Sequence, residues 1–228
     1  MEKKINIVVV SHPDDEILGF GGTGFKLVKA GEIVQPIILC GEVVERSHRP
    51  QSSDLYEDMI SANKTLGFNK PVIGKFPNVR MNNVDHVEIV RFIEEQVMKY
   101  EPNRIFTHHP SDLNDDHIQT MKACMVASRL FQRHKDLKPI ETIYFMETLS
   151  STDWSFPSIG NPFIPDTFSD ITDTIEHKLK ALAKYKNVMR DLPHPRSEHV
   201  LKGHAAYRGG QSSYKYAEAF QTAFKRNI

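Results

Sequence analysis

Residues 5–11 read INIVVVS, an unbroken run that is apolar and mostly β-branched. A run of this kind is typical of a strand that is buried on both faces of a parallel sheet. Similar runs follow at residues 33–41, 70–76, 103–110 and 141–148, and helical patterns lie between them at residues 17–31, 54–67, 84–100 and 115–134. This alternation predicts βαβ units with right-handed crossovers, and therefore an α/β fold with a mostly parallel sheet.

The last third of the chain has a less regular pattern. Residues 154–172 are rich in proline and aromatic side chains and predict a loop followed by a late strand, whereas residues 173–189 fit a long helix. Residues 190–220 are too polar and interrupted for core and are expected to end in a short helix. Within the second predicted strand, Pro36 indicates an edge position or a bulge. A chain of 228 residues can form one full core, so we expect a single domain over residues 1–228.

The composition excludes several classes of protein. The 29 basic and 29 acidic residues balance to a net charge of +0, so nothing global attracts the chain to nucleic acid or an anionic membrane. No apolar run reaches the roughly 18–20 residues of a membrane span, and the start of the chain lacks a signal-peptide cleavage site. We therefore expect a cytoplasmic protein that acts on a small molecule, as a monomer or a homo-oligomer. Cys40 and Cys124 are interpreted as core thiols in a reducing compartment.

Two signatures compete for the region after the first strand. Residues 19–24 read GFGGTG, a literal match to the glycine pattern of dinucleotide-binding folds, whose first glycine forms the turn directly after the strand. Here seven residues separate the strand end from Gly19, and the turn itself reads HPDDE. Glu42 lies near the position of a ribose-binding acid, so a nucleotide-binding protein that uses Gly19–Gly24 stays a competing hypothesis. The other interpretation of the glycines is close packing of the first helix.

The HPDD turn at residues 12–15 suggests a metal site. It follows a strand, at the sheet edge where open α/β folds bind their ligands. His12 and Asp15 are residue types that can converge on one cation, although Asp14 or Asp15 could instead cap the following helix. The adjacent carboxylates favour the metal, because two close carboxylates repel each other unless a cation or a proton lies between them.

A second cluster offers the third ligand. Residues 107–119 read THHPSDLNDDHIQ, follow the fourth predicted strand, and emerge beside HPDD if the two strands are parallel. The candidate ligands in this loop are His108, His109, Asp112, Asp115, Asp116 and His117. His117 is the best placed of them because it lies in the first turn of a predicted helix, whereas Asp115 or Asp116 could simply cap that helix.

These motifs resemble the PIG-L/LmbE-like zinc-dependent N-deacetylases. That family carries an opening (A/P)HPDDE motif and a later HPxDxNxDH-type motif; this chain reads SHPDDEILGFGGT and HPSDLNDDH, followed by PHPRS, RGG and YAEAF near its end. The resemblance implies a Rossmann-like three-layer domain with a mostly parallel sheet and an active site at the C-terminal ends of the strands. It also implies removal of an N-acetyl group from an amino sugar in a glycolipid, thiol cofactor, antibiotic or surface glycan.

The resemblance also implies roles for individual residues. His12, Asp15 and His117 match the zinc-binding positions of the family motifs and are therefore implied to bind zinc. Asp14 is implied as the general base, and Asp112 and Asp116 are expected to orient the ligands from behind. Fe²⁺, Mn²⁺ or Co²⁺ could occupy the same ligands, since affinity and availability both decide which metal binds.

The remaining candidates have plainer alternatives. His194, between two prolines, is expected to be the general acid or an oxyanion partner, or else only part of a surface turn. The arginines expected to contact substrate hydroxyls or phosphate, unless they are merely solvated, are Arg80, Arg196 and Arg208. Leu55 and Asn114 stand where many or some relatives carry arginine and histidine, which predicts a different hexosamine or aglycone. A non-catalytic relative that binds a sugar is a further hypothesis.

Overall fold

The structure, a computed structural model, describes residues 3–41, 52–157 and 160–227. Its strands are β1 (Ile5–Val10), β2 (Ile33–Ile38), β3 (Val72–Ile73), β4 (Arg104–His108), β5 (Thr142–Met146), β6 (Thr167–Asp170) and β7 (Ala217–Lys225). Its helices are α1 (Asp15–Lys29), α2 (Ser52–Thr65), α3 (His86–Tyr100), α4 (Asp115–Ala127), α5 (Ile175–Leu182) and α6 (Glu198–Ser212). Within these ranges no helix is long and apolar enough to cross a membrane.

The described strands form a seven-stranded sheet in the order β3-β2-β1-β4-β5-β7-β6. The strands from β3 to β5 along this order pair in parallel, and β7 runs antiparallel to both of its neighbours. Alternate side chains of β1 belong to two hydrophobic core clusters, one on each face of the sheet. Val8 and Val10 are in the cluster formed with α1, α2, α5 and α6, whereas Ile7 and Val9 are in the cluster formed with α3 and α4. Helices therefore cover both faces, and the predicted three-layer α/β fold with a mostly parallel sheet is confirmed.

The glycines of α1 serve packing. A methyl group on Gly19 would lie 2.7 Å from Met146, and one on Gly22 would lie 2.8 Å from Ile171. The backbone N–H groups of Gly22 and Thr23 donate to the buried carboxylate of Glu218, at 2.9 and 2.7 Å. The same carboxylate pairs with Lys178 at 2.7 Å. These N–H groups therefore bind a carboxylate of the protein itself, which favours the packing interpretation of GFGGTG over pyrophosphate binding.

Adding a methyl group at Gly24 is expected to destabilise the fold. A Cβ atom there would lie 2.3 Å from the Phe68 ring and 2.7 Å from the Phe20 ring. Both neighbours are rigid aromatic rings, which cannot move aside as the end of a flexible side chain could. We expect Gly24→Ala to lower the free energy of unfolding by about 1–3 kcal/mol in urea denaturation. The control is Gly203→Ala in α6, where nothing lies within 4 Å and a gain of about 0.5–1 kcal/mol is expected. Equal stability of the two variants would contradict the packing role.

Pro36 shows how a proline fits inside a sheet. It lies opposite Val8 of β1, but β3 pairs with β2 only at Ile37 and Ile38. On the β3 side, within the described residues, Pro36 has no strand partner. The predicted edge position is therefore wrong for β2, which is an inner strand by order, and the proline is tolerated because β3 is too short to pair with it.

Three predictions for the last third differ from the structure. Residues 190–220, expected to be too polar and interrupted for core, contribute Leu201, Ala205 and Phe220 to it. Residues 198–212 form the 15-residue helix α6, which begins where the side chain of Ser197 accepts the amide N–H of Val200. The expected final short helix is instead strand β7, whose first four residues are buried between β5 and β6. The long helix expected over residues 173–189 is limited to α5. Glu42, the proposed ribose-binding acid, lies outside the described residues.

Candidate active site

The two motif loops meet at one edge of the sheet. β1 ends at Val10 and leads through His12 and Asp14 into α1, while β4 ends at His108 and leads into α4. β1 and β4 are parallel neighbours, so their carboxyl ends lie side by side. The loops therefore come together as the sequence predicted.

Three side chains from these loops place donor atoms in a nearly equilateral triangle. His12 Nδ1 lies 3.2 Å from His117 Nε2 and 3.3 Å from an Asp15 carboxylate oxygen, which in turn lies 3.1 Å from His117 Nε2. All three residues are buried. A tetrahedral metal with bonds of about 2.0–2.1 Å needs donors about 3.3 Å apart. The spacing and donor types of this His/Asp/His set fit a divalent metal.

Asp116 supports His12 from the side away from the triangle. Its carboxylate lies 2.9 Å from His12 Nε2 and accepts backbone N–H groups from Val79 and Met81. These bonds favour the His12 tautomer that carries its proton on Nε2 and presents Nδ1 to the triangle. Asp116 does not cap α4, because the Asn114 side chain accepts the helix N–H instead.

Asp112 supports His117 in the same way. One carboxylate oxygen lies 3.1 Å from His117 Nδ1. Asp112 also accepts hydrogen bonds from the hydroxyl groups of Ser151 and Thr152, the latter at 2.8 Å. Both residues follow β5, so a third strand end contributes to the site. Each histidine of the triangle thus has a carboxylate on its other ring nitrogen, which is the arrangement that orients metal-binding histidines.

The charges of the triangle are strongly coupled. Burial alone would raise the pKa of Asp15, but His117 and His12 lower it well below its usual value. Burial alone would lower the pKa of His117, but Asp15 and Asp112 raise it to about 10. Asp15 faces His117 Nε2 and Asp112 faces Nδ1, so metal binding at Nε2 would require loss of the proton that Nε2 shares with Asp15.

Among the residues that the structure describes, two other groups lie close enough together to hold a metal, and both are less suitable. One combines His108 and Asp112 with His117, and the other combines Cys40 and Asp116 with His12. His108 Nε2 accepts the N–H of Ser11 at 2.9 Å, and burial lowers the pKa of His108 to about 3. The carboxylates of Asp112 and Asp116 are already engaged by the hydrogen bonds described above.

Asp14 lies beside the triangle with its carboxylate directed elsewhere. It is 6% exposed and makes no side-chain cap to α1. One carboxylate oxygen accepts from Arg196 Nη1 at 2.7 Å, and Arg196 Nε donates to the hydroxyl of Ser150 at 2.8 Å. Arg196 is thus hydrogen-bonded to the carboxylate of the predicted general base, Asp14.

The other predicted residues lie farther out. His194 is exposed in the loop before α6, where its Nδ1 accepts the N–H of Arg196 at 3.0 Å. Arg208 is buried and donates two hydrogen bonds to the Glu147 carboxylate, of 3.0 and 2.7 Å. Arg80 is exposed and lies between the two residues whose N–H groups donate to Asp116. The structure brings together the three predicted metal ligands, Asp14 and Arg196, while Arg208 belongs to a separate ion pair.

Sequence reasoning missed several residues of the site. Glu16 is fully buried and accepts the backbone N–H of Asp14 at 3.0 Å. Ser151 and Thr152 hold Asp112, and Ser150 holds Arg196. For Ser150, Ser151 and Thr152 the available signal was their position in the polar run after β5, because strand ends in a parallel sheet converge on the site.

An α/β fold with a buried His/Asp/His cluster at its strand ends defines a hydrolase-like candidate metal centre. The family profile described as "PIG-L: GlcNAc-PI de-N-acetylase" matches residues 7–128, and the chain belongs to this deacetylase family. The resemblance seen in the sequence motifs is therefore confirmed.

One curated relative agrees with this assignment, and two solved structures share the fold. The chain is 24% identical over 192 residues to the "Uncharacterized deacetylase YaiS" of Escherichia coli (strain K12), covering 82% of this chain and 92% of the relative. The N,N'-diacetylchitobiose deacetylase of Pyrococcus horikoshii superposes with a TM-score of 0.78 at 19% identity, over 97% of this chain and 84% of that one. GalB, the 4-carboxy-2-hydroxymuconate hydratase of Pseudomonas putida KT2440, superposes with a TM-score of 0.79 at 20% identity, over 99% and 98%. At these identities the structural likeness concerns the fold.

Proposed function

We propose that this chain is a zinc-dependent hydrolase that removes the N-acetyl group from an amino sugar or its conjugate, with residues 1–228 acting as one cytoplasmic domain. The observation that carries the proposal is the metal-sized triangle of His12, Asp15 and His117 next to a carboxylate, Asp14, that lies outside it. Such a site combines the two requirements of amide hydrolysis, which are an activated water and a base.

Zinc suits the donor set. Two imidazoles and one carboxylate are typical zinc ligands, and three protein ligands leave a position open, as in catalytic zinc sites. When bound here, the metal supplies a water of lowered pKa and polarises the acetyl carbonyl. Fe²⁺, Mn²⁺ or Co²⁺ remain alternatives for the same residues.

Asp14 is proposed as the general base. Its ion pair with Arg196 favours the ionised carboxylate, which can accept a proton from the attacking water. Arg196 is anchored by Ser150 and is itself kept charged, because Asp14 and Asp15 raise its pKa against the effect of burial. We therefore propose that Arg196 positions Asp14, in addition to any substrate contact.

The departing amine needs a proton, and Asp14 can return the one that it accepted from water. His194 is the other candidate. Partial burial and the neighbouring arginines Arg196 and Arg190 lower its pKa, which favours the neutral ring. Because Nδ1 accepts a hydrogen bond, the ring proton lies on Nε2. We propose that His194 donates from Nε2 to the developing oxyanion and that Asp14 acts as the acid.

The substrate class is supported by the names of the relatives. The family profile refers to GlcNAc-PI and one similar structure to diacetylchitobiose, and both are N-acetylated amino sugars. Of the predicted arginines, Arg80 is proposed to contact the hydroxyl groups or a phosphate of the substrate. Arg208 is assigned to holding Glu147, because its Nε and Nη2 donate to that carboxylate at 3.0 and 2.7 Å and its Nη1 donates to Gln211 at 2.9 Å.

The test is a screen of the metal-loaded protein against nucleotide-linked, lipid-linked and free N-acetyl amino sugars. We expect release of acetate and a free amine from at least one of them, and loss of turnover after chelation that added Zn²⁺ restores. GalB shares the fold, so the screen includes hydration of an unsaturated dicarboxylate. Hydration without deacetylation, binding of sugars without turnover, or a metal-free protein that retains NAD would each overturn the proposal.

A further inference from the structure

The backbone of Asp14 has a conformation that an aspartate rarely adopts. Its φ of 102° and ψ of −29° place it in the left-handed half of conformational space. A non-glycine residue in such a region is strained and persists only where its surroundings hold it. The strain falls on the proposed general base and on the residue immediately before a proposed metal ligand.

Glu16 is the group that holds this backbone. One of its carboxylate oxygens accepts the N–H of Asp14 at 3.0 Å. The other accepts from the side-chain amide of Asn63 at 2.9 Å and from the hydroxyl of Tyr185. Glu16 is fully buried, as are Asn63 and Tyr185. Three donors thus converge on the two carboxylate oxygens of Glu16.

The hydrogen bonds of Glu16 also involve Tyr185, which lies in the chain segment that leads to Arg196. Tyr185, which bonds Glu16, is followed by Lys186, whose backbone N–H donates to Asp58 of α2 at 2.9 Å. This segment continues to Arg196, whose guanidinium holds the Asp14 carboxylate. Asp14 is therefore fixed at its backbone by Glu16 and at its side chain by Arg196.

Adjacent aspartates must point to different partners in this site. Asp15 directs its carboxylate to His12 and His117, whereas Asp14 directs its own to Arg196. A regular helical conformation at Asp14 would extend α1 by one residue and redirect its side chain. The left-handed φ separates the two carboxylates, and the bond to Glu16 opposes its relaxation.

We propose that Glu16 is a positioning residue, which fixes the left-handed backbone of Asp14 so that the base stays outside the metal triangle. The inference rests on the proposed function only for the role of Asp14 as a base. Its structural part concerns the Asp14 backbone alone and can be measured without any substrate.

Glu16→Gln tests it with little change of shape, because one acceptor oxygen becomes an NH₂ group that faces donors. We expect faster hydrogen exchange of the Asp14 amide by NMR and a kcat lowered about 10- to 100-fold, as for a catalytic group displaced by about 1 Å. KM and bound metal should stay within about twofold of wild type. If this variant does not fold, Tyr185→Phe, which removes one donor to Glu16, should change exchange and kcat in the same direction by about threefold.

Gly24→Ala is the matched control, since it strains the same helix without touching Glu16 or Asp14. It should lower the melting temperature and leave kcat within about twofold. The inference is overturned if Glu16→Gln keeps wild-type kcat and Asp14 exchange, or if Gly24→Ala lowers kcat equally. If wild type hydrolyses no N-acetyl substrate but Glu16→Gln still frees the Asp14 amide, the proposed function fails and the positioning of the backbone stands.

Discussion

Replacing His117 by alanine is expected to abolish both metal binding and deacetylation. His117 Nε2 closes the donor triangle with His12 and Asp15, and its removal leaves two ligands, too few for a stable zinc site. We expect bound zinc to fall from about one equivalent to below 0.1, by elemental analysis after dialysis, and turnover to fall at least about 10³-fold. The variant also leaves Asp112 without its imidazole, so a lower melting temperature is expected.

His109→Ala is the matched control, because it removes a neighbouring histidine of the same motif. His109 bonds Gln221 at 3.0 Å and lies outside the triangle. We expect it to retain zinc and to keep activity within about tenfold of wild type. A His117→Ala protein that binds one equivalent of zinc and remains active would refute the site. If His109→Ala lost zinc and His117→Ala did not, the metal site would have to be assigned to a different set of residues.

The parts of the molecule that the sequence predicted are those with local signals. The apolar run of β1 and the strand–helix alternation up to β5 predicted the parallel sheet. They did so because the signals of each element, its apolar periodicity and its turn residues, lie within a few positions of each other along the chain. Parallel neighbours then placed HPDD and HPSDLNDDH at one edge, where the structure brings His12, Asp15 and His117 together. The ligand roles of these residues stay predictions until a metal is measured.

The parts that the sequence did not predict depend on distant partners. The residues of β7 read as a helix, because their strand identity comes from antiparallel pairing with β5 and β6, more than 40 residues away. Arg196 was assigned to substrate because nothing in the sequence shows that its guanidinium meets a carboxylate 182 positions earlier. The role of Glu16 has no signal in the sequence for the same reason, since Tyr185 and Asn63 complete its environment only in the fold.

Replacing Asp14 by asparagine is expected to separate chemistry from metal binding. The substitution preserves the shape of the side chain but removes its ability to take a proton from water. Asp14 lies outside the donor triangle, so bound zinc should stay near one equivalent while kcat falls about 10²–10⁴-fold with KM little changed. An asparagine oxygen can still accept from Arg196, which limits the loss of stability. Steady-state kinetics of the zinc-loaded variant, with zinc measured on the same sample, tests both parts.

The control for charge is Asp115→Asn, which removes a carboxylate from the other motif. Asp115 is exposed and contacts only Gln119 of the same helix among the bonds described, at 3.5 Å. Its kcat should stay within about twofold of wild type, because an exposed charge is screened by solvent. A fall in kcat of less than tenfold in Asp14→Asn would assign the base to another residue. Loss of zinc would instead make Asp14 a ligand, and Arg196 would then be holding a carboxylate that the metal must share.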